Sequence, residues 1–465
     1  MAERHPALRD VGRALVIGTG RSGLAATRAL VDAGVEVLVV DEAAEPAGAA
    51  DVRATGAELR AGEDPADHLA GVDLVVPSPG VPEHARVLVA AVDAGRRVWS
   101  EPELGARLHP RRLVAVTGTN GKTSVTELTT AVLAAGGLDA VACGNIGTPF
   151  TEAAAASAPD AVLVAELSSF QLRFCSELRP EVGLLLNLAP DHLDWHGGFE
   201  AYGAAKARLW QAQRAGDWAV HNDDDATTVA LADASAPAGR AAFSAVAVPD
   251  HGVGVRDGML VSSIGGSIER LLSLDELPLR APHHVANLAA AATTGLLLDL
   301  PAGRISEVLV DFRPGRHRVE HVVEVDGVAY VDDSKATNTH AAAAALASFD
   351  RVVWIAGGIA KGVDLSVLAD ALERVTAAVV IGEAADELAA VCASAGVEAQ
   401  HAGSMEDAVV AAARLAHPGD TVLLAPACSS FDMFRDYADR GERFAAAARA
   451  LASGRTSGEV AHDRP

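Results

Sequence analysis

The chain has 465 residues, which is enough for two or three domains rather than a single ordinary core. Half of the residues are hydrophobic and only 4% are aromatic, which is typical of helices packed on both faces of parallel strands. The formal net charge of −24 argues against binding to a nucleic-acid backbone or to an anionic membrane surface.

The cysteines and the apolar runs indicate the compartment. The four cysteines have neither CxxC pairing nor the spacing of metal ligands. The sequence has no signal-peptide pattern and no apolar run of about 18 residues. We therefore expect a reduced, cytoplasmic protein that binds neither nucleic acid nor membrane. We further expect a monomer, although no sequence pattern indicates the oligomeric state.

The first segment, residues 1–105, alternates short apolar runs with helical patterns. Apolar runs at residues 14–17, 35–40 and 72–76 predict strands, and helical periodicity follows the first and the third. Alternation of β and α patterns at this spacing predicts a parallel sheet.

Two further segments begin in the same way. Residues 106–314 open with a predicted strand at 113–116 and a helix at 124–135, and residues 315–452 open with a strand at 328–331. We predict an α/β fold of three domains. These are an N-terminal Rossmann-like domain, a central P-loop ATPase-like parallel sheet with a small antiparallel sheet, and a C-terminal Rossmann-like domain.

Two regions depart from the β/α alternation. Residues 241–280 are rich in Val, Gly and Ser and predict short antiparallel strands. Residues 453–465 contain Gly, Ser and charged residues without periodicity, which predicts a disordered tail.

Residues 118–123, Gly-Thr-Asn-Gly-Lys-Thr, lie between a predicted strand and a predicted helix. Backbone N–H groups at a helix N-terminus bind phosphates, a Lys adds charge, and a Ser or Thr hydroxyl reaches Mg²⁺. Lys122 and Thr123 are placed for these roles, but Val116 stands where the general pattern has its first Gly. The loop predicts an enzyme that consumes ATP with Mg²⁺. The alternative is a glycine-rich turn with a chance lysine.

Polar residues follow the neighbouring predicted strands. Glu166 ends the apolar run 161–165, and His192 follows the run 182–188. The carboxyl ends of parallel strands meet at one edge of a sheet, where a carboxylate can hold Mg²⁺. The alternatives are a surface charge at a strand end and a structural histidine. Sequence alone indicates that Lys206 is a solvated lysine on a helix face.

Gly18, Gly20 and Gly23, with Asp41 at the end of the next predicted strand, match a dinucleotide-binding fingerprint. Such a turn binds a diphosphate at a helix N-terminus, and the acid addresses a sugar or a base. Both NAD and a UDP-sugar satisfy this chemistry, so the turn alone leaves the two open.

Several stretches together resemble the Mur ligase family. The loop at 118–123 is similar to the ATP loop of Mur ligases and of folylpolyglutamate synthases. Further matching stretches, in order along all three segments, are residues 78–80, 144–147, 166–172, 333–338 and 426–432. The resemblance implies a ligase that adds D-glutamate to UDP-N-acetylmuramoyl-L-alanine in peptidoglycan precursor synthesis. ATP would form an acyl phosphate, and ADP and phosphate would be released.

The resemblance also implies roles for individual residues in catalysis. Lys122 and the loop amides would bind the β- and γ-phosphates. Thr123 and Glu166 would hold one Mg²⁺. His192 and Lys206 would hold a second, with Lys206 carbamylated as in the family. The implied ATP-binding set is Gly118, Thr119, Asn120, Gly121, Lys122, Thr123, Ser124, Asn287, Arg318 and Asp333.

The resemblance also implies a ligand for each domain. Residues 1–105 would bind the UDP-sugar and residues 106–314 the ATP. Residues 315–452 would bind the amino acid and close on the nucleotide. The implied UDP-sugar contacts are Arg21, Ser22, Asp41, Ser78, Gly80, Asn145 and His192. The implied D-glutamate contacts are Thr337, Lys361, Ser430 and Tyr437. For Ser430 and Tyr437 the alternative is loop packing.

Three other functions fit only part of the sequence. A sister amide ligase would add another amino acid. The Asp-Asn-Pro-Arg stretch of the diaminopimelate- or lysine-adding relative is absent, and Asn120 replaces the His of the L-alanine-adding relative. An NAD-dependent oxidoreductase built on residues 1–105 leaves the central loop without a purpose. A non-catalytic nucleotide-binding regulator leaves the acid, the histidine and the C-terminal lysine without one.

Overall fold

A computed structural model describes residues 4–237, 239–360 and 362–454 of the chain. The chain divides into two compact units. One runs up to Pro278 and includes Val285–Asp311, and the other contains Leu279–His284 and the chain from Phe312 onward. The predicted tail lies outside the described residues from residue 455 on. Within the described ranges, no helix is long and apolar enough to cross a membrane.

The first sheet confirms the predicted parallel β/α segment. Its strands are β1 Arg13–Ile17, β2 Glu36–Asp41, β3 Glu58–Ala61, β4 Leu74–Pro77 and β5 Arg97–Val98. Its helices are α1 Arg21–Asp32, α2 Ala49–Ala54, α3 Arg86–Asp93 and α4 Glu101–Leu108. All strands run parallel in the order β3-β2-β1-β4-β5. Ala14, Leu15 and Val16 of β1 are fully buried, as expected for a central strand covered on both faces.

The second sheet carries the phosphate-binding loop. Its strands are β6 Arg112–Thr117, β7 Ala140–Gly144, β8 Val162–Glu166, β9 Val182–Leu185, β10 Trp218–Asn222, β11 Gly239–Phe243, β12 Gly252–Arg256, β13 Met259–Ser262 and β14 Glu269–Ser273. The helices that follow in this segment are α5 Lys122–Ala135, α6 Phe150–Ala156, α7 Ser169–Arg173, α8 Leu193–His196, α9 Phe199–Ala207, α10 Ala226–Ser235, α11 Pro282–Leu297 and α12 Ala302–Asp311. The strand order is β14-β13-β12-β11-β10-β9-β6-β8-β7.

The antiparallel prediction for residues 241–280 is right for only part of that region. β11 pairs in parallel with β10, and β12 pairs in parallel with β11. The antiparallel pairings in this region are β12 with β13 and β13 with β14, and these strands extend the central sheet. The reason is α10, a crossover helix between β10 and β11 that returns the chain for parallel pairing. The α/β fold class is confirmed, with the antiparallel portion as one end of the central sheet.

The third sheet belongs to the second unit. Its strands are β15 Glu320–Val325, β16 Val328–Asp332, β17 Val352–Gly357, β18 Val375–Ile381, β19 Ala399–His401 and β20 Thr421–Leu424. Its helices are α13 Thr339–Leu346, α14 Ala385–Ser394, α15 Met405–Leu415 and α16 Tyr437–Ala452, with a 3-10 helix at Leu365–Arg374. The order is β15-β16-β20-β17-β18-β19, and β15 alone pairs in antiparallel fashion.

One buried arginine holds together the loops that follow β16, β17 and β20. Arg440, in α16, is fully buried. Its guanidinium donates to Ser334 Oγ and O at 3.0 and 2.9 Å, to Gly357 O at 3.2 Å and to Cys428 O at 3.0 Å. Burial lowers its pKa to about 10. Since these acceptors replace lost water contacts, the arginine fixes the three loops relative to one another.

We expect Arg440→Met to lower the free energy of unfolding by about 3 kcal/mol, because three buried carbonyl groups lose their donors. Urea unfolding at neutral pH measures this change. Arg443→Met in the same helix is the matched control. The Arg443 side chain is 51% exposed, so its loss should change the free energy of unfolding by no more than about 0.5 kcal/mol. Equal effects of the two substitutions would contradict the role given to Arg440.

Candidate active site

The phosphate-binding loop leaves the carboxyl end of β6 and enters α5 at Lys122. Gly121 has φ 82°, and a Cβ there would stand 2.8 Å from Asn287 Oδ1. Glycine is therefore required, and Asn287, an implied ATP contact, lies directly against the loop. Val116 is fully buried inside β6. The loop therefore begins after that position, which explains why no glycine is needed there.

Asn187, which sequence reasoning missed, holds the loop in place. Its carbonyl accepts from Thr119 N at 3.0 Å, its Oδ1 accepts from Asn120 N at 2.8 Å, and its Nδ2 donates to Asn120 O at 3.1 Å. Thr119 Oγ1 also hydrogen-bonds with Tyr202 OH at 3.0 Å. The available signal was a polar residue two positions past the end of β9, at the same sheet edge as the loop.

Glu166 joins two of the predicted site residues. It is the last residue of β8 and only 3% exposed. Its Oε2 accepts from Thr123 Oγ1 at 2.7 Å, and its Oε1 accepts from Asn145 Nδ2 at 2.9 Å. Asn145 N also donates to Glu166 O at 2.8 Å. The hydroxyl, the carboxylate and the amide are therefore brought together at the carboxyl edge of the sheet.

This group offers oxygen atoms to a hard cation. A carboxylate and a hydroxyl next to a phosphate-binding loop are ligands that Mg²⁺ prefers. Glu166 makes its hydrogen bonds to neutral donors, Thr123 and Asn145, so its charge is available to a metal. The residues present fit Mg²⁺.

Two lysines lie at the loop. Lys122 Nζ donates to Gly118 O at 2.9 Å and to Thr119 O at 2.7 Å. Lys206 Nζ donates to the same Gly118 O at 2.8 Å and is only 2% exposed. The interpretation of Lys206 as a solvated helix-face lysine is wrong. Burial, and then repulsion from Lys122, lower the pKa of Lys206 well below its usual value.

Lysine is rare in this chain. Only four lysines, Lys122, Lys206, Lys335 and Lys361, stand among the 38 basic residues. Arginine therefore serves nearly everywhere that only a positive charge is needed. An ammonium group is smaller than a guanidinium and can lose its proton when buried. All four lysines lie in the motifs predicted to form the site, which supports a chemical role for them.

His192 lies after β9, at the same edge as the loop. It adopts φ 53° and precedes α8. Its Nε2 lies 3.6 Å from Asp191 Oδ2, and its ring centroid lies 4.8 Å from that of Phe170. Asp191 also acts electrostatically on Lys206, raising its pKa in opposition to burial. Asp191 is a further acidic group at this edge that sequence reasoning did not assign.

The glycine turn of the first sheet packs tightly. A Cβ on Gly23 would stand 2.1 Å from Gly18 O, and a Cβ on Gly18 would stand 2.7 Å from Ser78 Oγ. The backbone of the turn and Ser78 are thus in direct contact. Asp41 Oδ2 accepts from Thr19 N and from Thr19 Oγ1, both at 2.9 Å. Asp41 therefore stabilises the turn from within the protein.

The turn also contacts the central segment. Arg21 donates from Nη2 to the Gly147 carbonyl, two residues from Asn145, and Arg28 pairs with Glu152 at 3.2 Å. The structure thus brings Arg21 to the loop that carries Asn145. Of the other implied sugar contacts, Ser22 is half-buried and Gly80 is exposed, both at the carboxyl edge of the first sheet.

The second unit brings its predicted residues to the carboxyl ends of β16 and β20. Burial raises the pKa of Asp333 to about 7, and Arg318 acts in the opposite direction. Ser430 is 2% exposed, and the Tyr437 carbonyl accepts from Ser334 Oγ at 2.7 Å. Lys335 Nζ lies 3.8 Å from the centre of the Tyr437 ring.

The remaining two implied D-glutamate contacts are Thr337 and Lys361. Thr337 is half-buried, and its N donates to Lys335 O at 2.8 Å. Lys361 lies outside the described residues. Two positions before it, Ile359 exchanges backbone hydrogen bonds of 2.9 and 3.1 Å with Ser429. The loops after β17 and β20 are therefore paired next to Ser430.

A second cluster of polar residues is explained by hydrogen bonding. His317, Glu320 and Asp332 bring one ligand atom each within 4.8 Å of one another. His317 Nδ1 pairs with Asp332 Oδ2 at 2.7 Å, and His317 N donates to Glu320 Oε2 at 2.8 Å. These bonds hold the backbone next to Arg318, so the cluster needs no metal.

Comparison with protein families covers most of the chain. A family model of the MurD-like N-terminal domain of Mur ligases matches residues 12–100, one of the Mur ligase middle domain matches residues 116–295, and one of the Mur ligase glutamate ligase domain matches residues 317–428. The three matches follow the order of the three sheets and together span more than half of the chain.

Individual proteins give the same result. The UDP-N-acetylmuramoylalanine–D-glutamate ligase of Frankia casuarinae is 50% identical over 446 residues, covering 94% of this chain and 93% of that protein. The enzyme of the same name from Thermobifida fusca is 44% identical over 462 residues, covering 95% and 98%. The solved UDP-N-acetylmuramate-alanine ligase of Thermotoga maritima has a TM-score of 0.53 at 18% identity, covering 95% and 100%, and shares the fold. With three domain matches and full-length relatives at this identity, the chain belongs to the Mur ligase family.

Proposed function

We propose that the chain is an ATP-dependent ligase that joins D-glutamate to UDP-N-acetylmuramoyl-L-alanine in peptidoglycan precursor synthesis. The observation that carries this proposal is the contact of Glu166 with Thr123 beside a loop that holds both Lys122 and Lys206. The two substrates are inferred from the enzyme name that the relatives carry. We place the reaction in the cytoplasm, carried out by a monomer with the domain boundaries predicted from the sequence.

The chemistry requires activation of a carboxylate. A carboxylate is a poor acyl electrophile because its leaving group would be an oxide. Attack of the L-alanine carboxylate on the γ-phosphorus releases ADP and gives an acyl phosphate. The D-glutamate amine then attacks the acyl carbon, phosphate leaves, and the nitrogen gives up a proton. Catalysis is chiefly positioning and neutralisation of charge.

The central segment contributes the phosphate-binding groups. The amides of residues 118–123 and the Lys122 ammonium bind the β- and γ-phosphates, which face the N-terminus of α5. Thr123 and Glu166 would hold one Mg²⁺, and His192 with Lys206 would hold a second. Such an ion would supply positive charge against the charge that develops on the phosphoryl oxygens. Asn287, which lies against Gly121, would contact the adenine.

Lys206 needs a modification to bind a metal. Its lowered pKa favours a neutral amine, whose lone pair attacks CO₂ to form a carbamate while the nitrogen releases a proton. The modification replaces an amine that would repel Lys122 if it were protonated with an anion that attracts Lys122. Lys206 as carbamate then provides oxygen ligands, which suits Mg²⁺.

The two substrates bind to different sets of residues. The turn at Gly18, with Arg21 and Ser22, takes the diphosphate of the UDP-sugar. Asp41 lies toward the uracil, and Ser78, Gly80, Asn145 and His192 follow the muramoyl group. In the second unit, Thr337, Lys361, Ser430 and Tyr437 bind D-glutamate, while Arg318 and Asp333 contact the nucleotide.

Purified protein with ATP and Mg²⁺ should release phosphate only when UDP-N-acetylmuramoyl-L-alanine and D-glutamate are both present. A coupled phosphate assay with each component left out in turn measures this requirement. L-Glutamate and L-alanine serve as controls for the amino acid. Equal release with either of them in place of D-glutamate would sink the specific assignment.

Lys122→Ala should lower turnover by more than tenfold, equivalent to more than about 1.4 kcal/mol, because the loop loses its cation next to the transferred phosphoryl group. The matched control is Arg111→Ala, just before the opposite end of β6, which should leave turnover unchanged. Turnover of Lys122→Ala within about tenfold of the unsubstituted protein would rule out the assigned role.

Incubation with ¹³C-bicarbonate should give a carbamate carbonyl signal in the ¹³C NMR spectrum, because buried Lys206 favours the neutral amine. The small number of lysines makes assignment simple. Lys206→Arg should remove both the signal and the activity. The signal should also fade as the pH falls through the lowered pKa, since a protonated amine cannot attack CO₂. A full signal in Lys206→Arg would place the modification elsewhere.

A further inference from the structure

A small cavity lies behind the glycine turn, between the first sheet and the central segment. Ser78 and Glu101 line it from the first sheet's side, and Phe170, Gln171 and Trp195 line it from the other. The volume open to the centre of a water molecule is about 10 Å³, which matches the room that a single buried water needs.

Three of these residues each bring one buried polar atom without a hydrogen-bond partner in the described part of the protein. These atoms are Ser78 Oγ, Glu101 Oε2 and Trp195 Nε1. Glu101 is only 2% exposed, and its other oxygen accepts from both Thr151 N and Thr151 Oγ1 at 2.6 Å. Leaving such groups unsatisfied is costly. Three unsatisfied groups around one cavity of this size point to a common partner.

We propose that this cavity is a binding site for one structural water, which bridges Glu101, Ser78 and Trp195. The water donates to the Glu101 carboxylate and to Ser78 Oγ, and it accepts from Trp195 Nε1. This uses both hydrogens and one lone pair of the water. It gives each of the three buried atoms a hydrogen-bond partner.

The position of the cavity gives the water a function, and this part rests on the proposed function above. Ser78 packs against the turn at Gly18, where the UDP-sugar diphosphate binds. Trp195 contacts Phe170 at a centroid distance of 4.7 Å, and Phe170 in turn contacts His192 at 4.8 Å. Glu101 is therefore a positioning residue. Through the water it fixes the sugar-binding turn relative to the segment that carries His192.

A crystal structure of the full chain without substrate, at a resolution that shows ordered water, tests the site directly. The expected result is a water peak within about 3.2 Å of at least two of the three atoms. A cavity without such a peak, or a direct hydrogen bond between Glu101 and Ser78, would overturn the proposal. This outcome does not depend on which reaction the protein catalyses.

Kinetics test the positioning role. Trp195→Phe keeps the ring and removes the donor, and we expect the KM for the UDP-sugar to rise about fivefold, as for one lost hydrogen bond, while the KM for ATP stays unchanged. Trp218→Phe, at the amino end of β10, is the matched control and should leave both KM values unchanged. Glu101→Gln keeps the shape and an acceptor, and it should retain the water and much of the affinity.

The outcomes separate the two proposals. A water peak with an unchanged UDP-sugar KM in Trp195→Phe would overturn the positioning role. An equal rise in the KM for ATP would do so as well, because it would indicate a general structural defect. Failure of the unsubstituted protein to turn over the UDP-sugar would refute the proposed function, and the crystal structure would still decide whether the water site exists.

Discussion

The hydrogen bonds that Glu166 accepts from Thr123 and Asn145 join three strand ends of the central sheet at one point. Thr123 follows β6, Asn145 follows β7, and Glu166 ends β8. Because the strands are parallel, their carboxyl ends lie at one edge, and one short side chain from each can meet there. The position of the phosphate-binding loop and the place for a metal depend on this meeting point. So does the contact of Arg21 with Gly147, which lies in the loop that carries Asn145.

Charge placement follows from the same arrangement. Gly118 O accepts from both Lys122 and Lys206, so two ammonium groups share one carbonyl. A buried lysine in this position favours its neutral form, and this favours reaction with CO₂. Arginine, which supplies most of the positive charge of the chain, keeps its proton and could not take this role. Lysine is retained where proton loss or a compact cation is useful.

The sequence was sufficient to predict those features whose signals lie within a short stretch of the chain. The loop at 118–123, the acid at Glu166 and the strand ends could be predicted because apolar runs followed by polar residues mark the edge of a parallel sheet. The burial of Lys206 was not predicted because its hydrogen-bond partner, Gly118, is 88 residues away in the sequence. Asn120, a partner of Asn187, is 67 residues away, and Ser334, a partner of Arg440, is 106 residues away. The parallel pairing of β10 with β11 was missed because α10, the weakly amphipathic helix that connects them, gave no clear period.

The Glu101 cavity is another feature that the sequence could not predict, because its polar atoms come from distant segments. They belong to α4, the loop after β4, and α8. In the second unit, Arg440 organises three strand-end loops by donating to their carbonyl groups. Glu166 does the same in the central sheet by accepting from Thr123 and Asn145. In both units, one buried charged side chain sets the positions of loops from separate strands. No local pattern reports such a convergence, and only the folded chain reveals it.

The central claim is that this site forms an acyl phosphate. Substrate labelled with ¹⁸O in both oxygens of the L-alanine carboxylate tests it most directly, with mass spectrometry of the products. Formation of an acyl phosphate predicts that one labelled oxygen leaves with inorganic phosphate and that one stays in the new amide. Released phosphate without ¹⁸O in a reaction that forms the amide product would contradict the account.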